Sequence, residues 1–233
     1  MWIQAYQFDY MGQGGKVLPI YFLDTDFEDN FTDDRNISLR LYSGNKDHRI
    51  LQEAILGFGG TKLLEHLGHD NIETYHMNEG HCSFLVLNLL EKFKGNVEDV
   101  KKRCHFTTHT PVPAGHDHFA ESRVKKLLHG LIPENLELPS LVQNGRLHMT
   151  ELGLYFSRSA NGVSHLHGQV ARDQFPWSDI GHITNGVHHS YWMGSPFKKL
   201  FDQHIPDWRE NPKLLLKVDE IPNDEIWDTH VTR

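Results

Sequence analysis

An α/β fold with a parallel sheet is predicted for this chain of 233 residues, on the strength of three observations. A short alternating segment, residues 72–77 (IETYHM), runs through a polar turn into residues with apolar positions at helical spacing, Phe84, Leu87, Leu90 and Phe93. A second β-rich segment, residues 104–108 (CHFTT), runs into a loop that two prolines and a glycine enforce. Helical patterns flank both, and strands alternating with helices form parallel sheets. Ligands of such sheets bind beyond the carboxyl ends of the strands, so both polar turns are expected to border one crevice.

Taken in order, residues 17–22 (VLPIYF) read as a strand that ends at Asp24, Thr25 and Asp26. Ile50, Leu51, Ala54, Ile55, Phe58, Leu63, Leu64 and Leu67 then recur at helical spacing, interrupted by Gly57, Gly59 and Gly60. This GFGG stretch lies inside a helical pattern and lacks the strand and the Lys-Ser/Thr of a phosphate loop, so close helix packing or a kink is expected. Residues 149–156 (MTELGLYF) read as helix and lead into Ser157-Arg158-Ser159-Ala160-Asn161-Gly162-Val163. Residues 201–233 mix Pro206, Pro212 and Pro222 with helical patches. The expected division is therefore a catalytic-type α/β domain over 1–200 and a connecting segment over 201–233.

Composition narrows the function. A net charge of -8 leaves no basic stripe to neutralise phosphates, so nucleic acid and anionic membrane are poor partners. The start, MWIQAYQFDY, lacks the pattern of a signal peptide, no apolar stretch approaches a membrane span, and a cytoplasmic location is expected. Cys82 and Cys104 are too few for a disulfide framework and too far apart for a CxxC site. The 18 histidines and 11% aromatics suit a sugar site, where imidazoles bond hydroxyls and flat rings cover pyranose faces.

Histidines at 76, 81, 105, 109, 116 and 118, with Asp117, suggest metal, but there is no HExxH helix and no two-ligand spacing, so no metal is expected. Serine and cysteine nucleophiles fare no better, because no GxSxG elbow occurs. What remains is Glu79, flanked by Asn78 and His81, facing a turn with Thr108, His109 and Asp117. Mixed donors and acceptors of this kind select hydroxyl-rich sugars. Two structural alternatives stay open: Asn78 as a helix N-cap, and Glu79 favouring a helix dipole. A Glu79–Asp117 pair flanking a glycosidic bond would instead suggest a hydrolase. A non-catalytic glucan-binding module is the third reading.

In order along the chain, VLPIYFLDTD, LRLYSGNKDHRILQEAILGFGG, HMNEGH, FTTHTPVPAGHD, LYFSRSANGVSHLHG and HITNGVHHSYW resemble the α-glucan (glycogen and starch) phosphorylases, specifically their compact bacterial and archaeal branch. The resemblance implies an internal stretch of the amino-terminal half, with part of a Rossmann-like, GT-B type glycosyltransferase domain. It also implies transfer of a glucosyl unit from an α-1,4-glucan to phosphate, releasing glucose 1-phosphate with retention. Glu79 and His81 then match the family's Asn-Asp/Glu-x-His motif, and Arg158 stands where the larger enzymes are expected to carry a glucose-touching histidine. Catalytic roles are thus expected for Glu79, His81 and Arg158, and substrate contacts for Asn78, Thr108, His109, Asp117 and Asn161. Asn161 and Asn185 each precede a glycine, and their structural alternative is a turn with positive φ, favoured for Asn185. Pyridoxal phosphate is implied for the full-length enzyme, with its lysine and glycine-rich backing outside this chain. A homo-oligomer is implied for that enzyme, and an inactive isolated chain is expected.

Overall fold

The computed structural model describes residues 1–12, 15–41, 44–132 and 142–232. The chain divides into two compact units, Met1–Thr184 and Asn185–Arg233. Position 200 lies inside a helix of the second unit, because Leu200 and Phe201 belong to that unit's own apolar cluster.

The first unit opens with an antiparallel hairpin of β1 (Gln4–Met11) and β2 (Val17–Asp24). Residues 17–22 are therefore a strand as predicted, but their partner is β1. Sequence reading missed β1, although Tyr6, Phe8 and Tyr10 alternate as a strand requires. A short α1 (Thr32–Arg35) follows, then α2 (Lys46–Ala54), capped by the Asn45 side chain. One π-helical turn, Ile55–Gly59, joins α2 to α3 (Gly60–His66). The glycines thus loosen one continuous helix rather than ending it. A Cβ on Gly57 would meet Leu85 N at 2.6 Å, so only glycine permits this approach to the next helix.

The remaining elements of this unit are β3 (Tyr75–Asn78), α4 (Leu85–Lys92), α5 (Val97–Lys101), β4 (Cys104–Thr108), β5 (His118–Ala120), α6 (Glu121–Leu127), β6 (Val142–Gln143), β7 (Arg146–His148), α7 (Met149–Tyr155), β8 (Ser159–Gly162), α8 (His165–Gln174) and β9 (Ile180–His182). Strands β3, β4, β8 and β9 form a parallel sheet in that order, which gives the predicted α/β architecture. Its register pairs Asn78 with Thr107 and Thr107 with Asn161, so the carboxyl ends of the strands lie side by side. Strands β5, β7 and β6 make a small antiparallel sheet.

The alternation of side chains divides the parallel sheet into two faces. Tyr75, Met77, Cys104, Phe106 and Ala160 join α4 and α7 in the main core. Contact is close enough that a Cβ on Gly153 would lie 2.4 Å from the Phe106 ring. His76, Asn78, His105, Thr107, Ser159 and Asn161 fall on the other face, which is unusual because parallel sheets are apolar on both faces.

The second unit comprises α9 (His189–Trp192), α10 (Ser195–His204), a 3-10 segment Pro212–Glu220 and α11 (Asn223–Val231). Its core is Leu200, Phe201, Ile205, Trp208 and Ile221. The indole of Trp208 donates to Asp202 at 2.9 Å.

Candidate functional site

Immediately after β3 the backbone reverses at Glu79 with φ 71° and ψ 173°. That region is almost reserved for glycine, and holding another residue there costs on the order of 1–3 kcal/mol. Neighbouring bonds impose the conformation: Glu79 N donates to Thr107 O at 2.8 Å, and Gly80 packs against Met149. The Glu79 side chain is buried, and its Oε2 accepts from His109 N at 2.7 Å and Thr110 Oγ1 at 2.9 Å. Its Oε1 is buried without a partner. A buried acceptor left unsatisfied costs about 1–3 kcal/mol, so a strained turn that also strands an oxygen is a place to look for a ligand. Asn78 is exposed beside it and caps no helix, since the N-cap of α4 is Phe84.

His81 sits on the 3-10 turn Gly80–Cys82, half-buried, and belongs to a second cluster. There Arg49 Nη2 donates to Glu53 Oε1 at 2.9 Å and to Asp117 Oδ2 at 2.8 Å, and lies 3.3 Å from His81 Nδ1. Burial and the neighbouring Asp117 push Glu53 up to about 9, so it is protonated at neutral pH. Burial pushes Asp117 upward too, but hydrogen bonds with Arg49 and Glu53 outweigh it and hold Asp117 below the ordinary carboxylate range. Burial and the Arg49 charge keep His81 below the ordinary imidazole value. Glu53, His81 and Asp117 each offer an atom within 4.8 Å of the others, a spacing that would suit a metal. The guanidinium bonds both carboxyl groups and lies against His81, so a divalent ion there would face an adjacent positive charge. Arg49, Glu53 and His81 border a cavity of about 860 Å³ whose wall also includes His76, Leu56 and Tyr21.

On the polar face of the sheet, Thr107 Oγ1 donates to Asn161 Oδ1 at 2.9 Å and lies 2.7 Å from His76 Nε2. His105 Nε2 lies 2.7 Å from the same Asn161 oxygen. Asn161 is thus an interior strand residue tied into a polar ladder. Neither it nor Asn185 has the positive φ of the turn alternative; among the described non-glycine residues Glu79, Lys94, Asn144 and Asp207 have it.

The predicted residues therefore separate. Glu79, His81, His109, Asp117 and Asn78 gather at the carboxyl ends of β3 and β4 or in the loops beyond. Thr108 is fully buried, because its position in β4 turns it to the core face; Thr107 and Thr110 supply the hydroxyls instead. Arg158 lies at the opposite end of the strands. Its guanidinium donates to Thr74 Oγ1 at 2.7 Å and to Lys102 O, and its N–H donates to Cys104 O, so it pins the amino-terminal edge of the sheet. Sequence reasoning missed Arg49, Glu53 and Thr110. The signal for the first two was a charged pair four residues apart within the apolar stripe of α2.

A buried, strained carboxyl group beyond the strand ends of an open parallel sheet stands where α/β domains of this class hold their ligands. No family model matches the chain. It is 38% identical to a maltodextrin phosphorylase of Thermococcus litoralis over 91% of its own length and 28% of the relative's. It is 32% identical to a glycogen phosphorylase of Mycobacterium tuberculosis over 94% of its length and 28% of the relative's. A glycogen phosphorylase of Aquifex aeolicus is likewise 32% identical over 91% of this chain and 34% of the relative. The chain belongs to the α-glucan phosphorylase family. It spans 28% to 34% of the length of these relatives.

Proposed function

We propose that the strand-end crevice is one wall of the glucosyl-binding site of an α-1,4-glucan phosphorylase, the enzyme type that passes a glucosyl unit to phosphate. The observation that carries this reading is Glu79, whose Oε2 is fixed by His109 N and Thr110 while its buried Oε1 lacks a partner. A sugar hydroxyl donating to that oxygen would satisfy it, and a ligand without the hydroxyl would leave it stranded. In this reading Glu79 orients the sugar and places a carboxyl group where positive charge develops at the anomeric carbon. Asn78, His81 and His109 stand near enough to the same turn to bond further hydroxyls. Asp117 acts through Arg49, and Asn161 supports the sheet beneath. Arg158 is assigned to the structure of the opposite edge.

The hydrolase alternative needs an ionised carboxylate and a protonated acid both reaching the sugar. Asp117 is tied to Arg49, and the protonated member of the cluster, Glu53, is only 1% exposed. Neither arrangement suits acid catalysis on a glycosidic oxygen.

Pyridoxal phosphate, when bound in such enzymes, supplies a phosphate group for proton transfer. The described residues do not fit it. Lys46, the lysine beside Asp117, is ion-paired at 3.5 Å and 63% exposed, whereas an imine-forming amine is desolvated. The cofactor site is therefore assigned to segments of the longer relatives that this chain does not match, and no glucose 1-phosphate is expected from the 233 residues alone. A cytoplasmic, homo-oligomeric enzyme acting on glucan and phosphate completes the reading. Among the described residues no helix is long and apolar enough to cross a membrane.

Calorimetric titration with maltoheptaose tests the proposal. Glu79→Gln is expected to weaken binding about tenfold, the equivalent of about 1.4 kcal/mol. Equal affinity for both chains, or none for the parent, contradicts the assignment.

A further inference from the structure

Glu79 Oε2 is held by two groups from one loop, the His109 amide and the Thr110 hydroxyl, so its orientation depends on what fixes that loop. We propose that His116 and Gln174 are positioning residues, clamping residues 109–117 so that both donors stay aimed at Glu79 and its carboxyl group stays turned to receive a sugar hydroxyl. The identity of the ligand rests on the glucan reading of the crevice, whereas the clamp stands on contacts within the first unit.

The chemistry of the partners directs each bond. Pro111 O only accepts, so the Gln174 amide nitrogen donates to it at 2.7 Å and leaves Oε1 facing His116. That oxygen accepts from His116 Nε2–H at 3.0 Å. In the neutral ring Nδ1 is then an acceptor, and the Thr150 hydroxyl donates to it at 2.9 Å. His116 is 4% exposed and meets the Phe175 ring in a T-shaped contact at 5.3 Å. A buried imidazole with both nitrogens engaged cannot turn without stranding a polar atom. Gln174 of α8 thus grips the loop at Pro111 and at His116. The start of α7 grips it through Thr150 and through Met149 N, which donates to Asp117 O at 3.0 Å.

That same start of α7 supports the other side of Glu79. A Cβ on Gly80 would lie 3.2 Å from Met149 Cβ and from Thr150 N, so the Glu79 turn and the His109 loop rest on the same two residues. Within the loop, a Cβ on Gly115 would lie 2.5 Å from Thr110 Cγ2, so the glycine leaves the room that Thr110 fills. Threonine is stiff at χ1, and this packing fixes where its hydroxyl points. Loops beyond strand ends are ordinarily the mobile parts of a scaffold. Beyond its 3-10 turn, Pro113–Gly115, this one takes its order from side chains of α7 and α8.

Amide hydrogen exchange of the 233-residue chain tests the clamp, because the His109 N–H exchanges when its bond to Glu79 opens. Gln174→Leu should speed exchange at His109 about tenfold while Met77 and Phe106, inside the sheet, exchange as in the parent. Gln174→Glu keeps an oxygen for His116 but loses the donor to Pro111, and should give an intermediate rate. Unchanged exchange at His109 in Gln174→Leu overturns the proposal, as does an acceleration shared equally by Met77 and Phe106, which would make Gln174 a general stabiliser. Should Gln174→Leu fail to fold, Thr150→Val removes one donor at nearly constant volume; it should speed His109 about fivefold, and a parental rate there is equally fatal. Maltoheptaose affinity should fall in step with His109 protection, with Gln174→Glu between parent and Gln174→Leu. Lost protection with parental affinity sinks the positioning role. A parent that binds no maltoheptaose, with His109 exchange still governed by Gln174, keeps the clamp and sinks the glucan reading.

Discussion

The two ends of the four-stranded parallel sheet are built from similar residue types and have opposite character. At the carboxyl end, Glu79 takes a glycine-like conformation, strands a buried oxygen and lies near a cluster with one protonated carboxyl group. At the amino end, Arg158 closes hydrogen bonds to Thr74, Lys102 and Cys104 from an exposed position with ordinary backbone geometry. Strain and unsatisfied polarity persist only where something else compensates, so their concentration at one end marks the candidate site. A charged residue in a family motif is a weaker guide than the end of the strand from which it projects.

Three substitutions sharpen this contrast. The largest effect is expected from Glu53→Gln on the pH dependence of stability. Glu53 titrates at about 9 in the folded chain against an ordinary 4.5, so the native state keeps a proton that the unfolded chain releases. Its contribution is complete below the unfolded value and is lost as pH rises toward the folded one. Urea unfolding of the parent should therefore weaken from about pH 6 to about pH 8, by as much as about 1.4 kcal/mol per pH unit. Glu53→Gln should flatten that slope, and a parental slope in the variant would show that Glu53 is ionised. Next, Glu79→Gly should leave the free energy of urea unfolding unchanged or raise it by roughly 1 kcal/mol, because relief of strain and of a stranded acceptor offsets two lost hydrogen bonds. It should nonetheless abolish maltoheptaose binding; a clear destabilisation would mean that the turn is not strained. The smallest effect belongs to Arg158→Ala. Loss of exposed hydrogen bonds at the other end should cost about 0.5–1 kcal/mol and leave sugar affinity untouched.

Much of this contrast could be read from the residues, and the remainder could not for identifiable reasons. The strands around Met77 and Phe106 and the helix carrying Leu87 and Leu90 were legible because their periodicities differ. The strand-end crevice followed from topology alone. The face of each side chain depends on register, which a single residue inverts. Thr108 was accordingly expected in the site, while Thr107 and Thr110 hold the polar positions. The catalytic role expected for Arg158 came from its motif, which gives its neighbours in sequence and not its place just before β8, at the amino-terminal end of the sheet. Glu53 escaped notice because a glutamate in a helix is ordinarily solvated, and only the packing of α2 makes it 1% exposed.

The most direct test of the central claim is an amide chemical-shift map of the 233-residue chain titrated with maltoheptaose. The glucan reading predicts saturable shifts at Asn78, Glu79, His81, His109 and Thr110, with Thr74, Lys102 and Arg158 unmoved. Shifts concentrated around Arg158, or no saturable shift at the turn after β3, would contradict it.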